Sequence, residues 1–327
     1  MIQTVEPDAL HDSPELAATH QDEPAALHSS PELAAYQGEP AQLPSGAPGK
    51  NGLLRLGFEP RRGRTILAHL ERRAPLLVQQ ALHWDEAMPD MACVFMVTTS
   101  GGTLQGDRYA VDVQLAPDAQ VHLTTQSATK IQEMDANYAS ATQDIVLGER
   151  AYLEYLPDPY IPYRHSRFIT RTRITLSPSA TLLYAETLAP GRKHYRSGEV
   201  FAYDLFSAAT SAARPDGTTL FAEKFLIEPG RHDVRSPGVM GDFDVFANVI
   251  LLTPPDCADR VAKQVSSTID HANGWATGVS RLPNNAGLIY KVLGHEYEPV
   301  RDVVRGFWTV ARREAVGYDV PQKFRWR

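Results

Sequence analysis

The sequence predicts a mainly β protein: a sheet, sandwich-like or stacked-strand body carrying a few α-helices, two of them near the C-terminus. Three observations lead there. From Leu53 onward, short runs of alternating apolar and polar residues are separated by Gly, Pro, Asn and Asp, the texture of strands joined by turns. One run, FITRTRITL, places Phe168, Thr170, Thr172, Ile174 and Leu176 on a single face, as a half-buried sheet requires. Helical periodicity shows clearly only twice, both times late in the chain.

Residues 1–50 stand apart. They hold eight Asp or Glu and one Lys, a net charge of −7 that equals the formal net charge of all 327 residues. They also contain a near-repeat, LHDSPELAA at 10–18 and LHSSPELAA at 27–35, rich in Pro, Ala and acid. So little large apolar surface cannot offset the entropy of ordering, so the stretch reads as a disordered acidic extension to a body spanning 51–327. His11, His20 and His28 lie too far apart for a closely spaced metal site and fit a solvated tail better. The first residues lack the basic and apolar regions of a secretory signal, and no apolar run approaches the roughly 20 residues of a membrane span, so the expected address is cytoplasmic. Cys93 and Cys257 form no C-x-x-C and read as small buried hydrophobes.

Along the body, Val111–Leu115 and Val121–Thr125 flank a PDA turn and read as a hairpin. Further strands are expected at Tyr152–Leu156, Phe168–Leu176 and Thr181–Thr187. Thr253-Pro254-Pro255 followed by Asp256 opens a helix with Val261, Val265, Ile269 and Ala272 along one stripe. A second helix, from Glu298 or Pro299 to Ala315, sets Val300, Val303, Val304, Phe307, Trp308 and Ala311 on an apolar stripe, with Arg301, Arg305, Arg312 and Arg313 outside it.

Between the first expected strands, Ser127-Ala128-Thr129-Lys130 spells S-x-x-K, which elsewhere carries acyl-enzyme chemistry when Ser and Lys share a helical turn. Here it follows a strand, and companion motifs are missing. The sequence contains no G-x-S-x-G, H-E-x-x-H, P-loop or G-x-G-x-x-G, and its balanced body offers little cationic excess for nucleic acid. A scaffold or binding protein fits better than an S-x-x-K serine acyltransferase or hydrolase; a β-rich binding module of another pathway remains the second alternative.

Five segments, in order, sharpen this. SGGTLQGDRYAVDVQLAPDAQVHLTTQSATKI at 100–131 closely resembles the hallmark stretch of the urease accessory protein UreD (UreH) family. AYLEYLPDPYIPY, AETLAPGRKHYRSGEVF, FDVFANVILL and LIYKVLGHEYEPVRDVVRGFWTVAR are similar to later family segments, so the resemblance covers roughly residues 53–316. It implies a β-rich, non-enzymatic chaperone that binds apo-urease and, with UreF and the GTPase UreG, helps deliver nickel to the urease active site. No tightly bound cofactor, nucleic acid or membrane is implied, only transient nickel. Since Ni²⁺ accepts carboxylate, imidazole and water ligands, the acids inside the resembling segments, Asp107, Glu154, Glu186 and Glu199, are candidates for a nickel path. The plainer alternative is that Asp107 caps a turn and the glutamates are exposed strand or turn residues. Gly101, Gly102 and Gly106 shape one loop, and Gly191, Arg192 and Gly198 belong to a second; both are candidate contact surfaces. Thr124, Thr125 and Gln126 read as structural or interfacial hydrogen-bonding groups, and Lys130 as a surface or partner contact.

Overall fold

The computed structural model describes residues 29–37, 50–322 and 324. The chain divides into two units after Ala41. In the first, Pro31–Tyr36 forms a short 3-10 helix inside the second copy of the repeat, with Leu33 buried. The rest of the acidic stretch, with His11, His20 and His28, lies outside the described residues.

The second unit is mainly β, as expected. Its strands are β1 (Asn51–Arg61), β2 (Arg64–Arg73), β3 (Leu76–Leu77), β4 (Ala92–Thr98), β5 (Arg108–Leu115), β6 (Gln120–Thr125), β7 (Thr129–Ile131), β8 (Ala139–Leu147) and β9 (Tyr152–Tyr155). They continue as β10 (Tyr160–Pro162), β11 (Arg167–Leu176), β12 (Thr181–Leu188), β13 (Leu205–Ala213), β14 (Thr219–Ile227), β15 (Val245–Leu252), β16 (Thr268–Asp270), β17 (Trp275–Arg281) and β18 (Gly287–Gly294). Seven form one sheet in the order β14-β13-β11-β8-β5-β1-β2. The second sheet runs β16-β17-β18-β15-β12-β9-β6-β4-β3, with β10 and β7 attached beside β12. The middle of each sheet is parallel: β1, β5, β8, β11 and β13 in the first, β4, β6, β9 and β12 in the second.

This topology corrects the expected hairpin. Between β4 and β13 the chain crosses back and forth between the sheets, so β5 pairs with β1 and β8 while β6 pairs with β4 and β9. Alternation of apolar residues reports a strand with a buried face. It does not distinguish a ladder partner from a strand facing it across a sandwich. FITRTRITL behaves as predicted: Phe168, Thr170, Thr172, Ile174 and Leu176 are all buried on β11.

Two apolar layers result. One lies between the sheets, with Leu54, Val113, Ile145 and Phe168 from the first meeting Val121, Leu153, Leu182 and Ile250 from the second. The other lies between the second sheet and two helices, α1 (Pro255–Ala262) and α2 (Tyr297–Val316). Strand β12, covered on both faces, is buried at every position.

The first helix is shorter than its apolar stripe suggested. It stops at Ala262, because Ser266, Ser267 and Thr268 favour local side-chain-to-backbone bonds over helix. Ile269, expected on the stripe, instead lies on β16 with 64% of its surface exposed. The second helix matches closely. Val300, Phe307, Trp308 and Ala311 are buried, Phe307 stacks on Tyr290 at 4.5 Å, and Gly317 closes the helix at φ 83°. Arg312 is the exception: expected outside the stripe, it is fully buried. The error was one of geometry, since Arg312 lies four residues after Trp308 and therefore on the same face.

Trp308→Ala should cost about 3–5 kcal/mol in urea denaturation, whereas Ile269→Ala should stay within about 0.5 kcal/mol. Comparable costs would show that α2 is not an integral part of the core.

Candidate functional site

The alternation of strand side chains places the four candidate acids in different environments. On β9, Glu154 points towards the helices; on β12, Glu186 points towards the other sheet; Asp107 precedes β5; Glu199 lies in the loop before β13. The structure does not gather them into one site, and among the described residues no three His, Cys, Asp or Glu side chains form a group able to hold a metal. None of the glutamates is the exposed strand or turn residue of the plainer alternative: Glu154, Glu186 and Glu199 are all buried.

Glu154 sits in a closed ionic centre. Its Oε1 accepts from the Tyr152 hydroxyl at 2.6 Å and Arg312 Nε at 2.6 Å; its Oε2 accepts from Arg312 Nη2 at 2.7 Å and contacts His122 Nδ1 at 2.8 Å. Burial alone would push this carboxyl up, but the Arg312 guanidinium outweighs it and holds the group well below the usual carboxylate range. An ionised carboxylate only accepts, so His122 Nδ1 carries the hydrogen. With two donors on each oxygen, Glu154 has no lone pair left for a cation. Arg312 Nη1 reaches Asp85 Oδ2 at 2.5 Å, and Asp85 Oδ1 accepts the backbone N–H groups of Ala87 and Met88. His122 stacks on Trp308 at 5.3 Å. Sequence reasoning missed Asp85, His122 and Arg312; the signal for Arg312 was its four-residue spacing from Trp308. Nearby Cys93 is buried among these groups, and burial, with Asp85 second, pushes its thiol up to about 12.

Asp107 organises a loop. Its Oδ1 accepts from Lys50 N, and its Oδ2 from Leu104 N and the Tyr109 hydroxyl at 2.8 and 2.6 Å. That is the turn-capping role. The glycines beside it bring the loop against the S-x-x-K segment: Thr103 N donates to Lys130 O, and a Cβ on Gly102, at φ 150°, would lie 2.6 Å from the same oxygen. Gly106 adopts φ 74°, and Gly101 is exposed. Ser127 and Lys130 are exposed, one on a bend and one on β7, so they share no helical turn. Thr124 donates to Leu156 O and the Thr125 hydroxyl accepts from Asp158 N, whereas Gln126 is exposed.

In the second loop, Arg192 forms a fork with Glu199 at 2.7 and 2.5 Å, and its guanidinium lies between the Tyr163 and Tyr195 rings, 4.0 and 4.1 Å from their centroids. Arg192 holds the Glu199 carboxyl below its ordinary range. Gly191 is required because a Cβ there would meet Glu199 O at 2.5 Å, and Gly198 closes the turn at φ 87°.

Glu186 is different. It lies beside a polar seam between the sheets, in which Tyr155 OH donates to Gln143 Oε1, and Gln143 Nε2 contacts Thr172 and the Tyr184 hydroxyl. Glu186 Oε1 is buried without a hydrogen-bond partner, and so is Oδ1 of Asn248, its cross-strand partner on β15. Asn248 Nδ2 reaches Glu223, which pairs with Lys291 nearer the surface. Burial pushes the Glu186 carboxyl up to about 7; a Tyr184 contact opposes the shift and Glu223 adds to it.

A family model described as UreD urease accessory protein matches residues 50–327. The chain belongs to the UreD family. It is 56% identical over 291 residues to Urease accessory protein UreD 2 of Brucella suis biovar 1 (strain 1330), covering 89% of this chain and 96% of that protein. It is similarly 50% identical over 292 residues to Urease accessory protein UreD of Photorhabdus laumondii and 49% identical over 292 residues to that of Yersinia pseudotuberculosis, covering 89% of this chain and 91% of each relative. The family match thus coincides with the β-rich body. No helix among the described residues is long and apolar enough to cross a membrane.

The Glu186 environment yields a pH dependence. An unfolded Glu titrates near about 4.3, so between that pH and about 7 the folded protein binds more protons than the unfolded chain, and stability falls as pH rises. Glu186→Gln should remove this penalty, raising stability relative to the wild type by up to about 3 kcal/mol at pH 8 and by much less at pH 4.5. Thermal melts at both pH values check it; an unchanged difference between the two proteins would contradict the assignment.

Proposed function

We propose that this protein is a cytoplasmic, non-enzymatic chaperone that binds apo-urease and, with UreF and the GTPase UreG, helps deliver nickel to the urease active site. Family membership and the names of its relatives support a role in urease maturation. The observation that carries the nickel half of the proposal is Glu186 with Asn248: two buried acceptor oxygens lacking donors, next to a polar seam inside an otherwise apolar sandwich. A buried oxygen without a donor is costly, and a passing hydrated cation or a water would satisfy it. A single carboxylate with an amide and hydroxyls is a weak donor set, which suits passage rather than storage. Glu154, Asp107 and Glu199 are each engaged elsewhere, with Arg312, the loop before β5 and Arg192, and stand apart from Glu186. The exposure of Ser127 on a bend and of Lys130 on β7, sharing no helical turn, favours a contact surface over a nucleophile and base.

Co-expression with urease and its other accessory proteins tests this. Glu186→Gln, neutral and of the same shape, should lower the nickel content of purified urease, measured by mass spectrometry, while apo-urease still co-purifies. Ser127→Ala should leave activation intact. A soluble Ser127→Ala protein that retains its partners yet abolishes activation would overturn the non-enzymatic assignment, and full nickel loading with Glu186→Gln would remove Glu186 from the path.

A further inference from the structure

A polar row runs across the inside of the sandwich, and the strand register shows where it meets the surface. In the first sheet, Gln143 on β8 lies beside Thr172 on β11, Thr172 beside Thr210 on β13, and Thr210 beside Glu223 on β14. In the facing sheet, Glu186 on β12 lies beside Asn248 on β15, and Asn248 beside Lys291 on β18. Two residues away on the same faces the side chains are apolar: Phe221 and Phe225 flank Glu223, and Phe246 and Ile250 flank Asn248. The row therefore has apolar walls here. It rises from Glu186 and Asn248, 7% and 6% exposed, to the side chains of Glu223 and Lys291, 21% and 42% exposed.

At this outer end, Asn248 stands between two carboxylates. Its Nδ2 donates to Glu223 Oε2 at 3.0 Å, while its Oδ1 and the Oε1 of neighbouring Glu186 are buried without donors. Lys291 Nζ donates to the other oxygen of Glu223, Oε1. Two carboxylates at this end are thus served by one ammonium. Burial, and after it the Glu223 charge, push the Glu186 carboxyl up against an opposing Tyr184 contact.

We propose that Lys291 is a displaceable counter-ion: it holds the place of a divalent cation at the mouth of the row, and it leaves Glu223 for solvent when a cation enters among Glu223, Asn248 Oδ1 and Glu186. The inference rests on the reading of Glu186 as a point of passage. Charge balances in the exchange. A dication enters as one ammonium leaves Glu223 and one proton leaves the protonated form of Glu186, so both carboxylates are neutralised before and after. Carboxylate and amide oxygens, with water completing the shell, suit a hard or borderline divalent cation. Lys291 can leave because its flexible four-carbon stem already reaches water. It can return once the ion moves on, which keeps the site weak. An arginine would serve less well, since its planar fork could hold both oxygens of Glu223 at once.

Calorimetric titration of Ni²⁺ into the purified full-length protein tests the exchange, with the histidines of the N-terminal stretch common to every variant. Lys291→Met should bind Ni²⁺ roughly 10-fold more tightly than wild type, the scale of removing one like charge from a partly exposed site, and should release it to EDTA correspondingly more slowly. Adding Glu186→Gln or Glu223→Gln to Lys291→Met should cancel the gain. In co-expression, Lys291→Met should lower the nickel content of urease, because the ion is retained. Melting temperatures establish that each variant is folded, and Lys291→Gln takes the place of Lys291→Met if the latter is not. A folded Lys291 variant whose Ni²⁺ affinity stays within twofold of wild type, or a gain that survives Glu186→Gln, overturns the counter-ion and leaves the passage through Glu186 standing. Full nickel loading of urease with Glu186→Gln overturns both.

Discussion

One buried guanidinium joins the layers of this molecule. Arg312 extends from α2 through the apolar layer to Glu154 on β9 and to Asp85 in the segment before β4, and every one of these side chains is inaccessible to solvent. Taking such charges out of water costs several kcal/mol each. The arrangement persists because every carboxylate oxygen has a donor: Tyr152 and His122 join Arg312 on Glu154, and two backbone N–H groups join it on Asp85. Hydrophobic burial of Phe307 and Trp308 would hold a helix on a sheet in many registers. A fork on Glu154 allows one. The centre therefore fixes where α2 lies.

The second sheet consequently has two unlike faces. Towards the helices its buried charges are matched, Arg312 to Glu154 and Asp85. Towards the other sheet it is left open, with Gln143, Thr172, Tyr155 and Tyr184 bonded to one another but Glu186 and Asn248 each keeping an oxygen without a donor. Strand β12 contributes to both faces, Ala185 and Thr187 to the helix side and Tyr184 and Glu186 to the sheet side.

Much of this was legible in the sequence. Strand texture, the face of FITRTRITL and the extent of α2 all follow from local periodicity, which the chain alone determines. The family membership followed from five ordered segments. What periodicity could not supply was partnership. The PDA turn between β5 and β6 looked like a hairpin because a turn that crosses between sheets uses the same residues as one that stays within a sheet. The acids Glu154 and Glu186 looked equivalent, each on a strand among apolar neighbours. Their difference lies 158 residues away for Glu154, in Arg312, and in the missing donor for Glu186. Arg312 itself was misplaced because its charge was weighed above its spacing.

The central claim is that Arg312 and Glu154 are energetically coupled rather than merely adjacent, and a double-mutant cycle measures this directly. Arg312→Met, Glu154→Gln and the double variant are compared by equilibrium denaturation, each with its own m-value. Because removing one partner leaves the other buried and uncompensated, each single change should cost about 3–5 kcal/mol. The double variant should cost clearly less than their sum, with a coupling of at least about 1.5 kcal/mol. Single costs below about 1 kcal/mol that simply add would show that the centre does not hold the layers together, and the account built on it would fail.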